Sequence, residues 1–71
     1  MAEHILVGLS SAPSNARIIR TAATMSKAFG GSFTALFVRT PNFEAMSEAD
    51  KERLRKNTAL AQEMGATIET V

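Results

Sequence analysis

The sequence contains no cysteine and a single histidine, His4, among its 71 residues. Disulfide bonds are therefore excluded, and so is a metal site built from Cys and His side chains. No apolar run approaches the roughly 20 residues that span a bilayer, and the Met-Ala-Glu-His start lacks the features of a signal peptide. We expect a cytoplasmic chain that does not insert directly into a membrane.

Neither sign of charge is in large excess. The chain has eight Lys and Arg residues and seven Asp and Glu residues, which gives a net charge of +1. Such a balance gives no broad attraction to nucleic acid or to an anionic membrane. The basic cluster at residues 51–56 has no interleaved aromatic side chains and is typical of a solvated helix face. We therefore predict no nucleic-acid partner.

The length of the chain allows one small domain, residues 1–71. A single core of this size rarely supplies more than roughly 3–5 kcal/mol of stability unless a disulfide, a metal or a partner adds to it. Because the first two are excluded here, we expect either a partner surface or a second half of the domain to contribute.

Three short apolar runs, at residues 5–9, 33–38 and 66–71, predict β-strands, and a segment of helical periodicity lies in each interval. Strands that alternate with helices imply right-handed crossovers and an α/β fold with a three-stranded parallel sheet in the order 3-2-1. Strand 1 then has one open flank. We interpret the β-α-β-α-β chain as the front half of a doubly wound domain.

Local patterns also predict the faces and ends of the two helices. The inner stripe of the first helix is predicted to consist of Ile18, Ala22, Met25 and Phe29, with Ile19 and Ala23 beside it. Ser47 is the expected N-cap of the second helix. Gly30 and Gly65 are expected to end the two helices, because glycine adopts the left-handed cap conformation without steric cost.

The loop after strand 1 is the expected place for a ligand, because open parallel sheets bind ligands beyond the carboxyl ends of their strands. Ser10, Ser11, Ser14 and Asn15 supply hydroxyl and amide groups there, and the first helix points its N-terminus at the loop. Arg17 lies in the first turn of that helix and Arg39 follows strand 2 at the same edge. Helix N-termini and arginines both favour anions, which predicts an anion or nucleotide subsite. The alternative is that the serines only cap the helix and the arginines are solvated.

Catalytic features are missing from the sequence. His4 lies before strand 1, far from the serine-rich loop, and the acidic residues near the second helix suit its N-terminal dipole. Neither G-x-G-x-x-G nor G-x-x-x-x-G-K-[ST] occurs. We predict no catalytic site, no metal and no tightly held cofactor.

Four segments carry a resemblance to a known family, namely HILVGLSSAPSN at 4–15, IIRTAA at 18–23, FTALFV at 33–38 and LRKN at 54–57. On these segments the chain resembles the universal stress protein superfamily, whose fold is adenine nucleotide alpha hydrolase-like. It is most similar to the universal-stress-protein-type domain in the cytoplasmic N-terminal region of KdpD potassium sensor histidine kinases. The similarity covers residues 4–71.

The resemblance implies a sensory or regulatory module of a two-component system. In such kinases the module is joined to an upstream nucleotide-binding domain and, after membrane spans, to the catalytic histidine kinase, so the partners would be the remaining domains of an inner-membrane protein. Full domains of the superfamily have five strands in the order 3-2-1-4-5. This order agrees with the interpretation of the chain as a front half.

The resemblance also bears on two ligands. ATP-binding members carry an acidic residue just after strand 1, where this chain has Leu9-Ser10-Ser11, and a phosphate loop after strand 4, so we expect no ATP binding by this chain. Cyclic di-AMP is bound by some kinase-associated members through Ser-x-Ser and Phe-Thr-Ala-x-Tyr motifs. Ser10, Phe33, Thr34 and Ala35 match these motifs, whereas Ala12 and Phe37 depart from them and each remove a polar contact.

Three functions are therefore compatible with the sequence. The first is a regulatory module of a potassium-responsive sensor kinase that acts by ligand binding or domain contacts. The second is a stand-alone universal stress protein that binds ATP or cyclic di-AMP. The third is a dimerisation module that forms a homodimer through the open flank of strand 1, because an unpaired strand is a template for another chain.

Overall fold

The structure is a computed structural model that describes residues 4–38 and 44–71. Its elements follow the order β-α-β-α-β. They are β1 (His4–Gly8), α1 (Asn15–Ala28), β2 (Ser32–Phe37), α2 (Glu48–Glu63) and β3 (Thr67–Thr70). In the described part of the chain, no helix is long and apolar enough to cross a membrane.

The three strands form one parallel sheet in the order β1-β2-β3. β1 pairs with β2 from His4↔Ser32 to Gly8↔Leu36, and β2 pairs with β3 from Thr34↔Thr67 onwards. The predicted parallel α/β fold and its strand order are thereby confirmed. β2 is the central strand, and β1 and β3 lie at the two edges of the sheet.

Both helices pack on the same face of the sheet. One buried cluster contains Ile19 from α1, Ala61 from α2 and the strand residues Val7 and Ala35, which are directly opposite each other. Two crossovers of the same hand in the same direction produce this arrangement. Because successive strand residues alternate between faces, Leu6 points to the opposite face, where 63% of its surface is exposed.

The buried face of α1 differs from the predicted one. The residues that lie inside are Asn15, Ile19, Ala22 and Ser26, whereas Ile18, Met25 and Phe29 are 51%, 45% and 56% exposed. The inner face is thus rotated by about 60° from the predicted apolar stripe. The reason is the polar residue Asn15, whose side chain donates a 2.9 Å hydrogen bond to the Gly8 carbonyl and fixes the first turn against the end of β1.

The predicted helix ends are largely confirmed. The Ser47 hydroxyl accepts a 3.1 Å hydrogen bond from the Asp50 N–H, as expected of an N-cap. Gly30 and Gly65 have φ values of 66° and 94°, which is the left-handed region that glycine adopts most readily. Acidic side chains lie in the first turn of α2, where the helix dipole favours negative charge.

Candidate functional site

The candidate site is the loop between β1 and α1, residues 9–14, which we call the serine loop. It lies at the carboxyl end of β1, and Leu9 continues the sheet ladder through a 2.8 Å bond from its N–H to the Leu36 carbonyl. The structure brings Ser10, Ser11 and Ser14 together in this loop and places Arg17 in the adjoining first turn of α1. Four of the predicted site residues therefore share one edge of the sheet.

The first turn of α1 holds one side of the serine loop. The buried Asn15 side chain, 3% exposed, donates to the Gly8 carbonyl and accepts a 3.2 Å hydrogen bond from the Ser10 N–H. The Ser10 hydroxyl accepts a further 3.2 Å bond from the Ala12 N–H. Asn15 thus fixes the path of the chain after β1, and the Ser10 hydroxyl stabilises the turn of the loop.

Helix α2 holds the other side of the loop. Asn57, which is 6% exposed, donates from Nδ2 to the Ser10 carbonyl at 2.9 Å and to the Ala12 carbonyl at 3.5 Å. Arg53 donates from Nη1 to the Ser11 carbonyl at 3.1 Å and to Asp50 Oδ1 at 3.0 Å. Three successive loop carbonyls are therefore bound by α2. The loop is joined to a helix more than 40 residues further along the chain.

Some polar groups at the loop remain available for a ligand. Within α1, the Asn15 N–H bonds the Ala12 carbonyl and the Ile18 N–H bonds the Ser14 carbonyl. The intervening Ala16 and Arg17 N–H groups belong to the helix end that has no intrahelical acceptors. Ser14 is the N-cap residue, but its backbone is α-helical and its hydroxyl makes no capping bond. The alternative in which the serines only cap the helix therefore does not hold for the Ser14 side chain.

Two predicted site residues lie away from the serine loop. Phe33 is 3% exposed and packs in the core on the helix side of the sheet. Thr34 is on the other face and pairs with Leu6, two residues or about 7 Å before the end of β1. The structure does not bring this pair together with Ser10. Arg39 lies outside the described residues.

His4 is the first residue of β1, one residue before the predicted start of the strand, and it lies at the amino end of the sheet. Its ring bonds two hydroxyl groups of β2, with Nδ1 2.8 Å from Ser32 Oγ and Nε2 2.9 Å from Thr34 Oγ1. The His4 ring lies against Thr34. This contact explains why Thr34 is buried although it is on the sheet face opposite the helices, where Leu6 is exposed. Among the residues that the structure describes, no group of three His, Cys, Asp or Glu side chains is placed to hold a metal ion.

The sequence analysis missed Asn57 and Arg53 as residues that hold the site. Arg53 was assigned to a solvated basic face, yet it bonds the Ser11 carbonyl. Asn57 lies three residues after the buried Leu54 and four before the buried Ala61, so it occupies the inner face of α2. The sequence did offer one indication of this role. Asn57 places a polar amide at an apolar position of the helix, and a buried amide needs a hydrogen-bond partner.

Comparison with known proteins gives one relationship. No protein-family model matches the chain. The chain is 39% identical over 69 residues to the Sensor protein KdpD of Clostridium acetobutylicum. The matched region covers 97% of this chain but 7% of that protein, so the chain spans a small part of the relative. It is therefore related in sequence to one segment of a KdpD sensor protein.

Proposed function

We propose that the chain is a regulatory module of a KdpD-like, potassium-responsive sensor histidine kinase of a two-component system, located in the cytoplasm. The observation that carries the proposal is the serine loop, whose carbonyls are bound by α2 and whose Ser14 hydroxyl is free of any capping bond. The relationship to a KdpD sensor over 97% of the chain supports the kinase context.

The bonds between the loop and α2 give the module a way to transmit binding. A ligand or a neighbouring domain that moves the serine loop also acts on Asn57 and Arg53, because both side chains bond loop carbonyls. A bound ligand or domain alters these hydrogen bonds only if it moves the serine loop. The regulated element in this proposal is therefore α2, and the effect depends on Asn57.

The ligand chemistry that fits the loop is a small anion such as a phosphate group. The helix N-terminus offers N–H groups and a favourable dipole, and Arg17 is an exposed cation for which no acidic partner occurs among the described residues. A ligand bound in this way contacts Ser14 and Arg17 and does not reach Phe33 or Thr34. This geometry gives little support to a cyclic di-AMP site that uses all the matched motif residues.

We further propose that residues 1–71 are the front half of a doubly wound, universal-stress-protein-like domain. Support comes from the strand order, in which β1 is an edge strand although its sequence is apolar nearly throughout. Strands of this composition usually have neighbours on both sides. The remaining domains of a KdpD-like protein are the partners that this proposal implies.

Ligand binding is tested by calorimetric titration of the chain with inorganic pyrophosphate, ATP and cyclic di-AMP. We expect heat from a phosphate-bearing ligand and a loss of at least tenfold in affinity in Arg17→Ala, with Lys56→Ala as the control for removal of an exposed helix cation. Equal affinity in both variants, or no heat with any of the three, contradicts the anion site.

The regulatory role is tested separately in a KdpD sensor kinase that carries this chain in place of its matching segment. We expect Asn57→Leu to change autophosphorylation at a fixed potassium concentration, whereas Lys56→Ala leaves it unchanged. If kinase activity is the same with and without the bonds between the loop and α2, the proposed coupling through α2 is wrong.

A further inference from the structure

A cavity of about 620 Å³ lies between the last turns of α1 and α2, at the amino end of the sheet. Ser26 and Lys27 line it from α1, Glu63 and Met64 line it from the end of α2, and Phe33 lines it from β2. None of the described residues that form its walls belongs to β1, so the cavity does not depend on what covers the open edge of that strand. Its volume is within the range of small-molecule sites.

The Ser26 hydroxyl is a buried polar group that makes no hydrogen bond to the described chain. Ser26 is 5% exposed and lies on the inner face of α1. Two other helical hydroxyls, those of Thr24 and Thr58, bond the carbonyl four residues earlier at 3.0 and 2.8 Å, whereas Ser26 makes no such bond. Because every fully enclosed side-chain N or O atom of the described residues has a partner, the Ser26 oxygen is accessible from the cavity. A buried hydroxyl normally has a partner, and here a ligand atom in the cavity can supply it.

The end of α2 carries an acidic residue where the helix dipole disfavours it. Glu63 is the last residue of α2, and the last turn of this helix contains no basic residue. The C-terminus of a helix has a partial negative charge, so a carboxylate is unfavourable there and a cation is favoured. Glu63 forms no ion pair with any residue that the structure describes. The α2 wall of the cavity therefore favours a cationic group.

The α1 wall carries the opposite charge. Lys27 lies in the last turn of α1 and lines the same cavity as Glu63. Within the described ranges it pairs neither with Glu63 nor with another acidic side chain. The cavity also has an apolar surface, formed by Ala23, Phe33 and Met64, and Met64 is 41% exposed. A ligand with one group of each charge and an apolar body matches all three features.

We propose that this cavity binds a zwitterionic small molecule, namely an α-amino acid with a large apolar side chain. Its carboxylate contacts the Lys27 ammonium group and accepts a hydrogen bond from the Ser26 hydroxyl. Its ammonium group contacts the Glu63 carboxylate at the negative end of α2, and its side chain covers Met64. The cavity and the serine loop lie at opposite ends of the sheet, so this inference goes beyond the proposed function and does not depend on it.

Titration of the chain with L-leucine, followed by ¹H–¹⁵N NMR, tests the proposal. Two probes serve as comparisons, since isopentylamine is leucine without the carboxylate and 4-methylpentanoate is leucine without the ammonium group. We expect leucine to cause saturable shifts at the amides of Ser26, Lys27 and Gly65, which line the cavity. Its affinity is expected to exceed that of either comparison probe at least threefold, because each probe lacks one ion pair.

Substitutions then assign each charge of the ligand to its partner. Lys27→Gln is expected to weaken leucine binding at least threefold and to leave isopentylamine binding unchanged, because the amine has no group for Lys27. Glu63→Gln is expected to weaken leucine binding and to leave 4-methylpentanoate binding unchanged. Ser26→Ala is expected to weaken leucine and 4-methylpentanoate binding alike. Lys56→Gln is the matched control, because Lys27, Glu63 and Lys56 are all exposed but Lys56 does not line the cavity.

Four results would overturn the proposal. Equal affinity for the three probes rules out recognition of a zwitterion, and the absence of saturable shifts with all of them rules out the site. Leucine binding that is unchanged in both Lys27→Gln and Glu63→Gln places the ligand elsewhere on the chain. An equal loss in Lys56→Gln and Lys27→Gln shows an effect of net charge and not of the cavity.

Discussion

Replacement of Asn57 by leucine removes one of the two side chains of α2 that bond the serine loop. The amide donates to the Ser10 carbonyl at 2.9 Å and to the Ala12 carbonyl at 3.5 Å from a position that is 6% exposed. Leucine has a similar volume, so the change removes two hydrogen bonds to the loop without opening a large cavity. The net loss for each such bond is about 0.5–1.5 kcal/mol.

That loss is large for this chain, because a single core of this size supplies roughly 3–5 kcal/mol. Urea unfolding followed by circular dichroism is the assay, and a lower midpoint with an unchanged m-value is expected. All samples are compared at one protein concentration, because apparent stability depends on concentration whenever copies of a chain associate. The Ala12 amide, bonded to the Ser10 hydroxyl, is also expected to exchange faster in the variant.

The control is Lys56→Ala, the exposed neighbour on the same helix, which is expected to stay within about 0.5 kcal/mol of the parent chain. A similarly small change in Asn57→Leu refutes the reasoning, since the two carbonyls would then find water or another donor at no cost. Unchanged exchange at Ala12 together with lower stability shows that Asn57 contributes to packing and not to the loop.

Two further predictions concern the helix ends. Ser47→Ala is expected to lower the free energy of unfolding by about 1 kcal/mol, because it removes the acceptor of the Asp50 N–H, whereas Ser14→Ala at the other N-cap is expected to be nearly neutral because its hydroxyl makes no capping bond. Equal losses in urea unfolding contradict this contrast. Gly65→Ala is expected to lower the free energy of unfolding by roughly 1–2 kcal/mol, because an L-residue at φ 94° is strained, and an unchanged thermal midpoint contradicts it.

The fold was predictable from the sequence because its determinants are local. Apolar runs at β1 and β2, the N-cap at Ser47 and the glycines at positive φ each indicate an element or its end within a few residues. Two right-handed crossovers that step in the same direction then give the observed order of the sheet. The bounds of all three strands differ from the prediction by one residue, which is the usual uncertainty of element ends.

The orientation of α1 was not predictable from its apolar residues alone. Periodicity locates an apolar stripe but assumes that the stripe faces the core of the same chain. In α1, a hydrogen bond from Asn15 to the Gly8 carbonyl sets the rotation, and Ile18 and Met25 are left exposed. A pairing between residues on different elements is needed to choose between the two orientations.

The ion pairs on α2 also show that spacing along a helix does not determine which side chains meet. The i, i+4 spacing of Glu52 and Lys56 predicts that these two side chains pair, whereas the structure pairs Glu52 with Arg55 three residues later. Both spacings place side chains on neighbouring positions of a helix, so spacing alone does not decide between them. Such exposed pairs contribute little to stability, and the error has no effect on the fold.

The position of the candidate site in the fold was predictable from the sequence, but the contacts that hold it were not. Its position follows from the rule that ligands bind at the carboxyl ends of parallel strands, and Ser10, Ser11, Ser14 and Arg17 do lie there. Asn57 reaches the loop across 47 residues of sequence, which no local pattern indicates. Phe33 and Thr34 were assigned by motif spacing, which carries no information on their distance from Ser10.

The all-parallel sheet also determines how this chain can fold. His4 and Ser32, which pair at the start of β1 and β2, are 28 residues apart, and no hairpin brings two strands together at short range. The entropy of closing such a loop is lost before any strand pairing compensates for it. Helix α1 shortens that loop when it forms, so helix formation is expected to precede the sheet. The folding rate then depends on substitutions within α1 more than on substitutions within β3.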